Sequence, residues 1–206
     1  MKNKIIFVNG TSSVGKTSLV HEFQNLVAEC YYGIEMDSIF SMLPRRYLVF
    51  RNHKEFNPKL DNLLTDENRK GFYFEGSKRC KLGEYAKNIS RDFLDIILSL
   101  AILGRNIIVD FITYGIEDKQ LIAKMFSSFN CYFITLSCNP EELRKRELQR
   151  GNRIIGSAED NVKFIDMEYT DYIIDTTIKR PVELAKKLYN FVNAHGPRAM
   201  TLLLNS

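Results

Sequence analysis

Hydrophobic and polar positions alternate along the chain in blocks that predict strands and helices in turn. Short apolar runs rich in β-branched residues are typical of buried strands, and longer segments with apolar residues every three or four positions are typical of amphipathic helices. Strands are predicted at residues 4–8, 33–36, 106–110, 131–138 and 172–175. Helices are predicted at residues 19–27, 38–43, 84–103, 117–129, 140–149, 158–168 and 181–192.

This alternation of strands and helices predicts the fold class. A strand that is apolar along most of its length, such as 106–110, is typical of a parallel sheet covered by helices on both faces. We therefore predict an α/β protein, a three-layer sandwich around a five-stranded parallel sheet. One domain over residues 1–206 is expected, because the sequence contains no repeat, low-complexity tract or linker. The segment 45–83 is polar at its start and weakly periodic, and we predict that it forms a small acceptor-binding cap.

Composition and charge fit a single domain with a small charged ligand. Of the residues, 45% are hydrophobic and 26% are charged, and Lys and Arg exceed Asp and Glu by 29 − 25 = 4. This excess is too small to predict a nucleic-acid partner. The four cysteines form no CxxC pair, so we expect reduced thiols in a cytoplasmic protein. No apolar stretch approaches the roughly 20 residues of a membrane span, so no membrane partner is expected.

A glycine-rich loop between the first predicted strand and helix is the strongest functional signal. Gly10, Gly15, Lys16 and Thr17 match the GxxxxGK[ST] pattern. In such a loop the backbone N–H groups surround phosphate, the lysine reaches the β- and γ-phosphates, and the hydroxyl binds magnesium. ATP and Mg²⁺ are therefore the predicted cofactors. The predicted nucleotide-binding residues of the loop are Gly10, Thr11, Ser12, Ser13, Val14, Gly15, Lys16, Thr17 and Ser18.

The remainder of the chain narrows the class of P-loop protein. A guanine-reading Asn-Lys-x-Asp motif is absent, and residues 135–139 read Thr-Leu-Ser-Cys-Asn, which disfavours a regulatory GTPase. The chain is also too short for the additional elements of motor or transporter ATPases. A compact P-loop protein with a basic segment like a lid is typically a small-molecule kinase. A nucleotide-dependent switch without transfer activity is the alternative from another class.

Two carboxylates follow predicted strands at the edge of the sheet where ligands bind. They are Asp37 and Asp110. Phosphoryl transfer to a hydroxyl needs a carboxylate that accepts the hydroxyl proton and a second group that holds magnesium. We assign the first role to Asp37 and the second to Asp110 together with Thr17. Two structural alternatives stay open: Asp37 as an N-cap of the helix that follows, and Asp110 as a loop carboxylate bonded to nearby backbone.

Basic residues cluster on and after the predicted helix 140–149. Arg150 and Arg153 are predicted to close over the transferring phosphoryl group as part of a lid over residues 144–158. Arg144 and Arg146 are predicted to bind the nucleotide. Neighbouring glutamates leave open the alternative that some of these arginines form only a salt-bridged surface. The predicted catalytic residues are Lys16, Asp37, Arg150 and Arg153.

Several blocks, in one order along the chain, resemble a known family. They are residues 9–16, Met36-Asp37-Ser38 with Leu43-Pro44, residues 107–110, residues 150–153 with Gly156 and Ala158, and Asp175-Thr176 with Pro181, Glu183 and Ala185. The order resembles that of chloramphenicol phosphotransferase and its relatives. The resemblance implies a nucleoside-monophosphate-kinase-like P-loop fold and transfer of the γ-phosphate of ATP to a primary hydroxyl of chloramphenicol, an antibiotic-resistance activity. It also implies that Asp37 is the general base and that Arg150 and Arg153 are lid arginines.

The chain differs from the family pattern near the acceptor. Phe111 stands where the family often has a second Asp, and no His lies near Ile165. The segment 45–83 does not match. We therefore predict an ATP-dependent O-phosphotransferase whose acceptor hydroxyl belongs to chloramphenicol, to another metabolite or to a nucleoside.

Overall fold

A computed structural model describes residues 3–48, 64–74, 80–113, 115–151, 155–165 and 167–205. The strands, in chain order, are β1 (Lys4–Asn9), β2 (Tyr31–Glu35), β3 (Phe72–Phe74), β4 (Cys80–Leu82), β5 (Asn106–Asp110), β6 (Asn130–Ser137) and β7 (Tyr172–Asp175). The helices are α1 (Lys16–Leu26), α2 (Met36–Phe40), α3 (Asp66–Arg69), α4 (Glu84–Ile102), α5 (Ile116–Met125), α6 (Pro140–Arg150), α7 (Ser157–Val162), α8 (Pro181–Ala194) and α9 (Ala199–Asn205), with a 3₁₀ turn at Arg45–Tyr47.

Five of these strands form a parallel sheet in the order β2-β5-β1-β6-β7. β1 lies at the centre and pairs with β5 on one side and with β6 on the other. The chain first crosses β5 to reach β2, and later crosses back over β1 to reach β6. A crevice therefore opens at the carboxyl end of β1, where the strand order reverses and ligands bind in sheets of this kind. The predicted α/β class and five-stranded parallel sheet are confirmed.

Helices cover both faces of this sheet. Ile5 and Phe7 of β1 pack in one cluster with apolar residues of α4, α5 and α9. Ile6 and Val8, which point to the opposite face, pack in a second cluster with α1 and α8. Side chains of successive strand residues alternate between faces, so burial of both faces requires an apolar residue at each position. This explains the continuous apolar runs of the sequence.

The ends of several elements differ from the sequence prediction. α5 ends at Met125 rather than at 129, because the next residue, Phe126, turns into the core and packs 5.5 Å from the Phe7 ring. α7 ends at Val162 rather than at 168, and Ile165 bonds back to Val162 in a tighter turn. In both cases the chain leaves the helix where a large apolar side chain reaches the core.

α9 is not predicted by the sequence pattern. The Asp171 carboxylate accepts hydrogen bonds from the backbone N–H groups of Arg198 and Ala199 at the start of α9 and from Phe133 N–H on β6. Met200 and Leu203 then pack into the core. A distant aspartate thus fixes the start of this short helix.

The predicted cap contains, among its described residues, the 3₁₀ turn, α3 and an antiparallel pair of strands, β3 and β4. Phe72 on β3 is buried, and its ring centroid lies 4.0 Å from that of Phe40 on α2. This contact joins the antiparallel pair β3–β4, which we call the hairpin, to α2. Residues 49–63 and 75–79 of the cap lie outside the described residues, and the role of the cap stays a prediction.

In the part of the chain that the structure describes, no helix has the length and apolar character needed to cross a bilayer.

Candidate active site

The glycine-rich loop connects β1 to α1 in a tight turn. Gly10, Ser13 and Gly15 have φ angles of 145°, 61° and 103°. A Cβ atom at Gly10 would lie 2.9 Å from the Val14 side chain and 3.0 Å from the carbonyl oxygen of Leu136, so no larger residue fits without a shift. The loop ends at the N-terminus of α1, which begins at Lys16. Backbone N–H groups without helical partners at such an N-terminus favour an anion.

Lys16 lies back over the loop. Its side chain is 7% exposed, and Nζ donates to the carbonyl oxygens of Gly10 and Thr11 at 2.9 and 3.0 Å. The same ammonium lies 3.7 Å from Oδ1 of Asp110. One buried cation therefore joins the loop to the end of β5.

Asp110 and Thr17 bring two side-chain oxygen groups together beside the loop. The Thr17 hydroxyl donates to Oδ2 of Asp110 at 2.6 Å. Carboxylate and hydroxyl oxygens fit Mg²⁺, which typically takes one or two protein groups and completes its shell with water and phosphate. Among the described residues, no group of three or more His, Cys, Asp or Glu could hold a metal. These side-chain contacts favour the metal-binding interpretation of Asp110 over a carboxylate bonded only to backbone.

Asp37 lies in the first turn of α2, directly after β2. The alternative that Asp37 is the N-cap is wrong, because Glu35 holds that position and α2 begins at Met36. Asp37 is exposed and lines the same cavity as Lys16 and Asp110.

This cavity, of about 1100 Å³, extends from the loop to α4 and the hairpin. It brings together most of the residues that the sequence predicts for the site. Those that line it are Ser12, Ser13, Val14, Gly15, Lys16, Thr17, Ser18, Asp37, Asp110, Arg146 and Arg150. Gly10 and Thr11 complete the loop behind them.

Arg146 is held under the loop by several hydrogen bonds. Its Nη2 donates to the backbone oxygen of Thr176 at 2.7 Å, and Nη1 donates to the Thr176 hydroxyl at 3.1 Å. Its Nε donates to Glu142 at 3.1 Å, and this bond lowers the pKa of Glu142 below its ordinary value. The guanidinium is therefore fixed beside the loop before any ligand arrives.

The other predicted arginines occupy different places. Arg150 is exposed in the last turn of α6 and lines the cavity. Arg144 bonds to Glu159 on α7 at 2.6 Å, is more than half exposed, and is not among the described residues that line the cavity. Its position corresponds to the alternative of a salt-bridged surface. Arg153 lies outside the described residues.

Sequence reasoning gave no individual role to Thr176 and Asn9, which hold the loop in place. The buried Thr176 hydroxyl donates to the carbonyl oxygen of Val14 at 2.8 Å. The buried Asn9 amide donates to the Thr113 hydroxyl and accepts from Gly10 N–H. Asn9 is the last residue of the buried strand β1 and Thr176 directly follows β7, and a polar residue at a strand end is the signal that could have found them.

Glu147 is a further residue that the sequence did not single out. It is 1% exposed, and its carboxylate accepts from Gly156 N–H, Ala158 N–H and the Ser157 hydroxyl at 2.6, 2.8 and 3.0 Å. The carbonyl oxygen of Ala158 in turn accepts from the Thr11 hydroxyl at 2.8 Å. A continuous set of hydrogen bonds thus joins α6, the start of α7 and the loop.

The Glu147→Gln variant should unfold at a lower temperature than the natural protein. The amide replaces an acceptor oxygen with a donor that faces other donors, and such a loss destabilises a fold by about 1–3 kcal/mol. Thermal unfolding followed by circular dichroism measures the effect. Glu29→Gln, on an exposed residue, is the control, and equal melting temperatures for both variants would show that these bonds contribute no stability.

The order of the strands and the loop that leaves β1 are those of the P-loop NTPase fold. A sugar kinase from Janibacter superposes with a TM-score of 0.65 at 14% identity, covering 93% of this chain and 95% of the other. The APS kinase of Mycobacterium tuberculosis gives 0.61 at 14% identity, covering 93% and 98%. At these identities the likeness shows the fold alone.

Sequence similarity identifies the family of the chain, which likeness of fold does not. The chain belongs to the chloramphenicol phosphotransferase-like family, whose model matches residues 3–193. A protein of Mycobacterium tuberculosis, provisionally named an O-phosphotransferase and present in two strains, is 28% identical over 196 residues, which cover 94% of this chain and 84% of the relative. The protein is a phosphotransferase, and the predicted family and enzyme class are confirmed.

Proposed function

We propose that the protein transfers the γ-phosphate of ATP to a hydroxyl group of a small molecule, with Mg²⁺ bound at Thr17 and Asp110. The observation that carries this proposal is that Lys16, Asp110 and Asp37 face one cavity of about 1100 Å³. This volume lies just above the range of about 300–1,000 Å³ that is typical of small-molecule pockets, which fits a site for two substrates.

The loop side of the cavity is suited to bind the triphosphate. Backbone N–H groups at the start of α1 and the Lys16 ammonium offer hydrogen bonds to phosphate oxygens. Thr17 and Asp110 would hold Mg²⁺, which when bound neutralises charge between the β- and γ-phosphates. Arg146 and Lys179 both line the cavity beside the loop. A hydrogen bond and charge repulsion from Lys187 lower the pKa of Lys179 below its ordinary value. We assign the nucleotide base to the end of the cavity that Arg146 and Lys179 line.

The acceptor side begins at Asp37. The Asp37 carboxylate takes the proton of the acceptor hydroxyl while that oxygen forms a bond to the γ-phosphorus. The bond from the γ-phosphorus to the bridging oxygen breaks, and ADP leaves with the electron pair. Lys16 and Arg150 stabilise the negative charge of the transferring group. Arg153 and closure of a lid over residues 144–158 belong to the same proposal.

Incubation with MgATP and a panel of hydroxyl compounds, with chloramphenicol among them, tests this function. We expect ADP release that depends on one class of acceptor, and a phosphorylated product of mass increased by one phosphoryl group. The acceptor side is also compatible with another metabolite or a nucleoside, which the same panel contains. Tight ATP binding without a response to any acceptor would favour a nucleotide-binding switch instead.

A further inference from the structure

Two cations of α4 line the acceptor side of the cavity. Lys87 and Arg91 are four residues apart, so they lie on one face of the helix, about 6 Å apart along its axis. α4 packs against α2, which carries Asp37, and against β4 and β5. Both side chains therefore belong to the wall that faces the acceptor rather than to the loop that faces the triphosphate.

Neither cation is neutralised by a carboxylate of the described residues. The ion pairs in that part of the chain include neither Lys87 nor Arg91, whereas Arg144, Arg146 and Lys16 each have an acidic partner. Of the acids that line the cavity, Asp37 lies on α2, Asp110 is bonded to Thr17, and Asp118 lies on α5. Two positive charges of α4 thus line the cavity, and neither of them forms an ion pair with a described residue.

The wall beside these cations is apolar and aromatic. Phe111 is 6% exposed, and its ring stacks on that of Phe93 with centroids 5.7 Å apart. Phe40 and Phe72 form a second ring pair on the same cavity. A ligand that fits this wall needs an apolar body, and the cations at its edge fit an oxyanion.

We propose that the acceptor is an amphipathic hydroxyl compound with a carboxylate or phosphate group, which Lys87 and Arg91 bind while the hydroxyl lies at Asp37. This substrate class rests on the proposed kinase function. It differs from chloramphenicol, which carries no negative charge at neutral pH. The negative charge of the acceptor, rather than the shape of its apolar body, is then the main determinant of acceptor specificity.

Binding of a charged compound and of its neutral analogue tests the anion subsite formed by Lys87 and Arg91, without any need for turnover. With the protein saturated by Mg²⁺ and a non-hydrolysable ATP analogue, we compare 4-(hydroxymethyl)benzoate with its neutral amide, 4-(hydroxymethyl)benzamide, by titration calorimetry. We expect the acid to bind at least about tenfold more tightly, since hydrogen bonds to charged groups are the stronger ones. A third probe, 4-(hydroxymethyl)phenyl phosphate, distinguishes a phosphate group from a carboxylate by which of the two anions binds more tightly.

Variants assign the effect to the two cations. Lys87→Met with Arg91→Met should weaken binding of the preferred anion by about 10- to 100-fold and leave the amide unchanged. Lys186→Met with Arg105→Met removes the same charge at exposed positions that do not line the cavity and is the control. The proposal is overturned if acid and amide bind equally, if neither binds at millimolar concentration, or if both double variants behave alike.

Measurements of turnover distinguish a failure of this substrate proposal from a failure of the kinase proposal. If neutral acceptors are phosphorylated and the Lys87/Arg91 double variant has no effect on KM for any acceptor, the subsite is wrong and the kinase function stands. If the anionic probes bind through Lys87 and Arg91 but no acceptor in the panel releases ADP, the subsite stands and the kinase function fails.

Discussion

Replacing Asp37 with Asn should lower turnover by about 10²- to 10⁴-fold, the range typical of a lost general base. The amide has nearly the same size as the carboxylate but cannot take a proton from the acceptor. Nucleotide affinity should stay the same, because Asp37 lies on α2 and not on the phosphate-binding loop. ADP release with the best acceptor of the panel measures the first effect, and titration with an ATP analogue measures the second.

The control for this variant is Asp95→Asn, which removes an exposed carboxylate of α4 that does not line the cavity. Its turnover should equal that of the natural protein. Undiminished turnover in Asp37→Asn would remove Asp37 from the role of base. A fall in nucleotide affinity equal to the fall in turnover would assign Asp37 to nucleotide binding instead.

The second large effect is expected for Lys16→Met. Removing a preorganised cation from a developing negative charge typically costs about 10²- to 10³-fold in rate, and we expect weaker binding of MgATP as well. The variant should also melt at a lower temperature, because the carbonyl oxygens of Gly10 and Thr11 lose their donor. Kinetics are therefore measured well below the melting temperature, which circular dichroism provides.

Lys186→Met is the matched control, since it removes an exposed lysine outside the cavity. Unchanged ATP affinity and rate in the folded Lys16→Met protein would contradict phosphate binding by Lys16. An effect on melting alone would mean that this lysine only stabilises the loop.

The sequence was most informative where the backbone itself restricts the residue type. Gly10 leaves no room for a side chain, and the strands of the sheet centre are apolar because both faces are buried. Both requirements are local, so the loop, β1 and β5 were predictable. Glu147 was not, because its partners at residues 156–158 come near only after α6 and α7 pack together.

The arginines of α6 illustrate what sequence reasoning could have gained. Successive helix residues are about 100° apart, so Arg144 and Arg146 point in nearly opposite directions, whereas Arg146 and Arg150 share a face. The structure brings the latter pair to the cavity and Arg144 to Glu159. Helix periodicity alone therefore implied that Arg144 and Arg146 could not both face the nucleotide, but it could not say which of them does.

The parallel register of three adjacent strands sets the distances within the site. Val8 on β1 pairs with Asp110 on β5, and Asp110 pairs with Glu35 on β2, so these residues form one row across the sheet. Gly10 and Asp37 each lie two residues beyond that row. With strands about 4.8 Å apart, the carboxyl ends of β1 and β2 are about two strand spacings apart, and in the proposed function this spacing separates ATP at the loop from the acceptor at Asp37. On that proposal, we expect substitutions on α4 or in the β3–β4 pair to change the acceptor-binding wall while the strand register that positions Gly10 and Asp37 stays the same.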